Sequence, residues 1–156
     1  MTQDITTIGY GFYWDDLKLG FKFKTIGRTI TQADLVNFVN ISWLNEELFA
    51  NAHAREGMAI RGRPVPAALV YAYAEGLLTP SMQHTGLAFL NAEIDVKGPT
   101  LVDDTIHVEC EVIELRKASS GHRGHARTLN KIINQHGETV IEYNPLRMMK
   151  LRPEAV

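Results

Sequence analysis

Cysteine is nearly missing. Cys110 stands alone in the chain, so no internal disulfide forms, and a single thiol is the usage of a reducing compartment, which makes the cytoplasm the expected location. Long apolar runs are missing too. No stretch reaches the roughly eighteen consecutive apolar residues of a membrane helix, and Met1-Thr2-Gln3-Asp4-Ile5 lacks the basic opening and apolar core of a secretory leader. Nor is there a surplus of either charge. Sixteen Lys and Arg against eighteen Asp and Glu give a formal charge of -2, without the cationic excess that binding to phosphate backbones or anionic lipid draws on. Nucleic acid and membrane are therefore not expected partners. Gly9, Gly11 and Gly20 form no phosphate loop, because no strand-to-helix turn with a lysine follows them. What is present is an ordinary globular balance, 45% apolar and 22% charged over 156 residues. It predicts one domain over residues 1–156 with enough apolar material for a core.

Residues 1–20 mix aromatics with Asp15-Asp16 and glycines and read as an irregular arm packed on the body. Alternation of Phe21, Phe23 and Thr25 with Lys22 and Lys24 predicts a strand over residues 21–30. Thr31, with Asp34 three positions later, is a cap for a short helix running to about residue 42. Residues 43–63 show no clean period yet carry Asn45, Glu46, Glu47, His53 and Arg55, and a polar connection of that length in a compact domain usually has a task. Pro64-Val65-Pro66 then suits the first turn of a new helix, and the absence of charge over residues 67–74 predicts that this helix is buried all round.

From residue 87 to residue 151 the period is that of strands. Ile106, Val108, Cys110 and Val112 alternate with His107, Glu109 and Glu111, and the slip of phase onto Ile113 and Leu115 predicts a bulge. Ser119-Ser120-Gly121 and Gln135-His136-Gly137 predict turns, and Pro145 predicts a kink, a bulge or an edge position in the last strand. The whole order predicts an α+β fold, an antiparallel sheet wrapped around one central helix, because an apolar cylinder needs a concave apolar surface around it.

Three stretches carry a resemblance. They are Phe21-Lys22-Phe23-Lys24-Thr25-Ile26-Gly27-Arg28-Thr29-Ile30-Thr31 with Asp34 and Phe38, then Val96-Lys97-Gly98-Pro99-Thr100-Leu101-Val102-Asp103-Asp104-Thr105, then Ile132-Ile133-Asn134-Gln135-His136-Gly137-Glu138-Thr139-Val140. In this order and spacing the chain resembles the MaoC-like dehydratases, the (R)-specific enoyl-CoA hydratase family of the hotdog fold, over nearly its whole length. The resemblance implies reversible addition of water to a 2,3-enoyl thioester of coenzyme A or acyl carrier protein. It also implies no cofactor beyond the coenzyme A of the substrate, and a homodimer or larger oligomer with sheets joined edge to edge. The family's chemistry uses an Asp and a His five residues apart around an Asn-Pro, and a backbone N–H at the start of the buried helix that holds the thioester oxygen. Setting Asn45 on the family's Asn puts Trp43 in the place of the Asp, Glu46 in that of the Pro and Leu48 in that of the His. The Ala-His-Gly that usually opens the helix reads Val65-Pro66-Ala67.

With that dyad replaced, Glu46 or Glu47 becomes the candidate base, since a carboxylate half-buried beside an acyl pocket has its pKa raised toward a useful value. A solvated acidic loop is the alternative reading. His53 is the one histidine of the polar connection and a candidate proton shuttle, or else a surface residue; Asn45 would orient water or cap a turn. The N–H groups of Ala67 and Ala68 are the candidate oxyanion donors, with Trp43, Phe49, Pro66 and Tyr71 as substrate-binding residues. Glu75 makes thioester hydrolysis a rival reaction, because some hotdog thioesterases place a carboxylate on this helix; near Gly76 it equally reaches water. His122, Arg123, His125 and Arg127 fit no metal-ligand spacing, so no metal is expected, while Arg116, Lys117 or Arg123 would suit the phosphates of a coenzyme A arm. Hydration or dehydration is the leading expectation. A catalytically silent hotdog protein that binds acyl thioesters or pairs with an active partner is the alternative, and an acyl-CoA thioesterase is the second alternative.

Overall fold

The computed structural model describes residues 5–154; the first four residues of the expected arm lie outside the described residues. The cap at Thr31 forms as the sequence predicts. Thr31 Oγ1 accepts from the Asp34 N–H at 3.2 Å and Asp34 Oδ2 accepts from the Thr31 N–H at 2.8 Å, which starts α1 (Gln32–Ser42). The polar connection contains one short helix, α2 (Glu47–Ala50). The charge-free residues 67–74 form most of α3 (Ala67–Leu77), which is followed directly by α4 (Thr79–Met82). Asp34 also accepts from the Tyr73 hydroxyl at 2.8 Å, so one carboxylate both caps α1 and ties it to α3.

The strand expected over residues 21–30 is two pieces, β1 (Lys22–Lys24) and β2 (Arg28–Thr29). Thr25 interrupts the ladder because its side chain enters it: Oγ1 accepts from the Val108 N–H at 3.0 Å. Downstream lie β3 (Gly86–Asn91), β4 (Ile94–Val96), β5 (Thr105–Lys117), β6 (Arg123–Ile133), β7 (Thr139–Tyr143) and β8 (Leu146–Lys150). They form one antiparallel sheet in the order β1-β5-β6-β7-β4, with β2 also on β5 and β8 between β6 and β3. Thus β7 and β8 are two halves of one ribbon, broken at Asn144-Pro145, where Arg127 donates to the Asn144 carbonyl at 2.8 Å. The β5 bulge falls between Val112 and Glu114. It turns Ile113 outward, 45% exposed, contrary to the expectation that Ile113 continues the inner face, while Leu115 does return to it.

Helix α3 packs Leu69, Val70 and Ala74 against Ile106, Val108, Ile132, Ile141 and Tyr143 of the sheet. The expectation of a helix buried all round is corrected here, for Ala67, Ala68, Ala72 and Gly76 are exposed. A sheet covers one side of a cylinder, and methyl groups on the other side carry little apolar surface to lose to water. A second cluster, Leu17, Val112, Ala126 and Met149, is covered by Phe12 and Trp14 of the arm. Trp14 lies on Gly124 so closely that a Cβ there would meet its ring at 2.5 Å, and its indole N–H donates to the His125 carbonyl at 3.0 Å.

Cys110 sits in the main core. Burial pushes its thiol up from the ordinary 9.0 to about 12. A raised acid pKa means that the neutral thiol favours the fold below about pH 9 and that this contribution is lost as pH rises toward 12. At pH 8 the native protein is expected to leave a thiol-reactive dye unreacted over hours and to take up one equivalent on unfolding; prompt labelling of folded protein would contradict the packing described.

Candidate functional site

The start of α3 is held by a short pairing of its leader with the segment before β5. Val65 N–H donates to Thr100 O and Val102 N–H to Arg63 O, each at 2.9 Å, around a Pro64–Leu101 bridge. Pro66 is the N-cap and supplies no side-chain acceptor. The N–H groups of Ala67 and Ala68 therefore have no intrahelical partner and carry the positive end of the helix dipole.

Against this end lies a cavity of about 210 Å³, walled by Leu48 and Phe49 of α2, Ile60, Ala67, Val70, Val96 and Ile141. Among its lining residues Thr100 is the one with a polar side chain. The loop that closes it is self-supporting: Asn51 Oδ1 accepts from the N–H groups of His53 and Ala54, and Arg55 Nη1 donates to the Leu48 carbonyl at 3.1 Å. An apolar chamber whose wall includes Ala67, the first residue of the helix with a free N–H, suits a ligand with an apolar tail and one electron-rich carbonyl.

The sequence candidates divide around this cavity. Ala67 and Phe49 line it, and Pro66 is buried as the N-cap. Ala68 lies on the exposed side of the first turn. Asn45, Glu46, Glu47 and His53 are exposed and do not line it. Glu46 is the N-cap of α2, two residues before the lining Leu48. Trp43, in left-handed backbone at φ 62, is 86% exposed. Tyr71 is half-buried edge-on to Tyr143, with ring centroids 5.1 Å apart, away from the cavity lining.

Glu75 is engaged elsewhere. Its two carboxylate oxygens accept from Arg147 Nη2 at 2.6 and 2.8 Å, and Oε1 also accepts from the Tyr143 hydroxyl at 2.8 Å. Burial, with the Glu75 charge beside it, pushes the Tyr143 hydroxyl well above its ordinary range, so it stays a proton donor. His122, Arg123 and His125 stand at or beside the β5–β6 turn, and among the described residues no group of three or more His, Cys, Asp or Glu could hold a metal. No helix among the described residues is long and apolar enough to cross a membrane.

What sequence reasoning missed is the wall: Ile60, Val65 and Val96. They come from three separate stretches, and local periodicity does not tell which of them share one cavity.

No family model matches the chain, and no curated protein does. Solved structures do. The chain is similar to the MaoC-like dehydratase from Rhodospirillum rubrum, with a TM-score of 0.81 at 20% identity over 92% of this chain and 99% of that one. It is similar to the unliganded (R)-hydratase of Pseudomonas aeruginosa, with 0.75 at 19% over 92% and 91%. A conserved protein of Mycobacterium tuberculosis with a double hotdog fold aligns with 0.84 at 22%, over 97% of this chain and 47% of its own, so this chain spans about half of it. The fold is thus the hotdog, an antiparallel sheet packed on a central helix.

Proposed function

We propose that this protein binds an acyl thioester of coenzyme A or acyl carrier protein, with the acyl group in the α3 cavity and the thioester oxygen at the N–H groups of Ala67 and Ala68. The observation that carries this reading is that the start of α3, at Ala67 with its free N–H, forms part of the wall of an apolar chamber. The reaction proposed is reversible addition of water to a 2,3-enoyl group, with Glu46 or Glu47 activating water and His53 or Asn45 orienting it. Structural likeness to a dehydratase and an (R)-hydratase supports it.

One observation favours a second reading. None of those four side chains lines the cavity, whose walls are apolar apart from Thr100. In this reading the protein binds thioesters without chemistry or pairs with an active partner. Hydrolysis is less well supported, because Glu75 already accepts from Arg147 and Tyr143. Incubation with crotonyl-coenzyme A, followed through the enoyl absorbance and beside calorimetry with a saturated analogue, separates the readings. Loss of absorbance supports hydration, binding without loss supports the silent protein, and no binding of either ligand overturns both.

We further propose a homodimer joined along β3 and β4. β3 pairs with β8 and β4 with β7, and neither has an outer neighbour among the described residues; together they expose Leu87, Phe89, Leu90, Ile94 and Val96 at 42–53%. Unpaired edges of that composition invite a second strand. Lysine at both Leu90 and Ile94 is expected to halve the mass seen by light scattering while leaving the far-ultraviolet spectrum unchanged; an unaltered dimer mass would exclude this edge.

A further inference from the structure

Two guanidinium groups near the α3 cavity carry buried nitrogens with no hydrogen-bond partner among the described residues: Arg63 Nε and Arg55 Nη2. Neither arginine has a carboxylate within salt-bridge distance among the described residues. A buried donor left unsatisfied opposes folding, and such groups in native folds usually serve an ion, a water or a ligand. The Arg63 backbone is fixed where its carbonyl accepts from the Val102 N–H, next to Gly62 in left-handed backbone at φ 86.

Arg63 lines a second cavity of about 190 Å³, between α1 and α2, whose other walls include Leu35, Val39 and Phe49. Phe49 is a wall of the α3 cavity as well. Phe49 thus lines both chambers, the first apolar and bounded by the start of α3 at Ala67, the second walled by apolar side chains together with Asn40 and the Arg63 cation.

Resting on the thioester reading above, we propose that the ligand's acyl chain passes the Phe49 ring into this second chamber and ends there in a carboxylate held by Arg63. The substrate class is an acyl thioester that carries a terminal acid group, and Arg63 is its specificity-determining residue. Guanidinium and carboxylate form a charge-assisted pair, stronger than a neutral hydrogen bond when little water is present. Arg55 Nη1 donates to the carbonyl of Leu48, the residue before Phe49.

The test is a calorimetric comparison of glutaryl- with pentanoyl-coenzyme A and of adipyl- with hexanoyl-coenzyme A, pairs that differ in the acid group alone. Wild-type protein is expected to bind the acid-ended member of a pair at least about tenfold tighter. In Arg63→Met the ratio is expected to fall to about one, and in Arg63→Lys to an intermediate value. Equal affinities within both pairs for the wild type, or an undiminished ratio in Arg63→Met, overturn the proposal while leaving the thioester reading in place. Failure of all four ligands to bind overturns both. The wild-type comparison stands on its own should Arg63→Met fail to fold.

Discussion

Arg147→Met is expected to lower the unfolding free energy by about 3 kcal/mol, the scale for breaking a buried ion pair from one side. At this chain length that corresponds to a fall in Tm of roughly 10 °C. The pair's side chains are 14% and 22% exposed, so solvent screens little of the loss. Arg147 donates to both oxygens of Glu75, and its guanidinium also stands over the Phe89 ring, 5.2 Å from the centroid. Removing it leaves Glu75 with the Tyr143 hydroxyl as its remaining donor. Glu75→Gln is expected to cost less, because an amide still accepts from Tyr143. A double variant, Glu75→Leu with Arg147→Met, is expected to recover part of the loss, since an apolar pair in the same space carries no uncompensated charge. Thermal and denaturant unfolding of the three variants measure this. An Arg147→Met protein as stable as wild type would mean that the pair contributes nothing to holding α3 on the sheet.

Ala67→Pro is expected to reduce turnover of an enoyl thioester by about two to three orders of magnitude, the usual loss when one oxyanion donor is removed. In the silent reading the same variant weakens thioester affinity by about tenfold. Proline fits here without breaking the helix. Position 67 is the first residue of α3, where a missing N–H forfeits no intrahelical bond. Residue 66 before it is already at φ -58, ψ 137, the extended conformation that a following proline requires. Tm should therefore move by no more than a few degrees. Kinetics or calorimetry with a saturated analogue, read beside that Tm, separates the lost N–H from lost structure. Full activity in a folded Ala67→Pro protein would remove this helix end from the mechanism.

Much of this architecture is legible along the chain because its causes are local. A hydroxyl three residues before a carboxylate makes the cap at Thr31 whatever lies around it. Strict alternation in residues 106–112 places one face of β5 inward, and a proline at 145 cannot extend a ladder. Where tertiary context intervened, local reading failed in small ways: the Thr25 hydroxyl took a ladder position, and Ile113 became the outward residue of the bulge. The absence of charge over residues 67–74 predicts burial all round, yet it reports only that nothing there opposes burial.

The candidate site was legible in one part. The leading prolines mark a helix start with free N–H groups, and Ala67 does line the cavity. The polar residues of the connection, Glu46, Glu47 and His53, drew notice by type, but which side of a loop faces inward depends on the Asn51 turn and on α2. The chamber was invisible to any count, since Leu48, Ile60, Val96 and Ile141 come from distant stretches and share a wall only after folding.

By itself, then, the order of residues determined periods, caps, breaks and the free amino end of α3, all of which arise from neighbours within a few positions. Only the folded chain decided that Glu75 is bound to Arg147, that Arg63 and Arg55 hold buried donors without partners, and that Phe49 lines two cavities. The reason is physical. Desolvation and hydrogen-bond satisfaction depend on every group within a few ångströms, and those groups come from parts of the chain far apart in sequence.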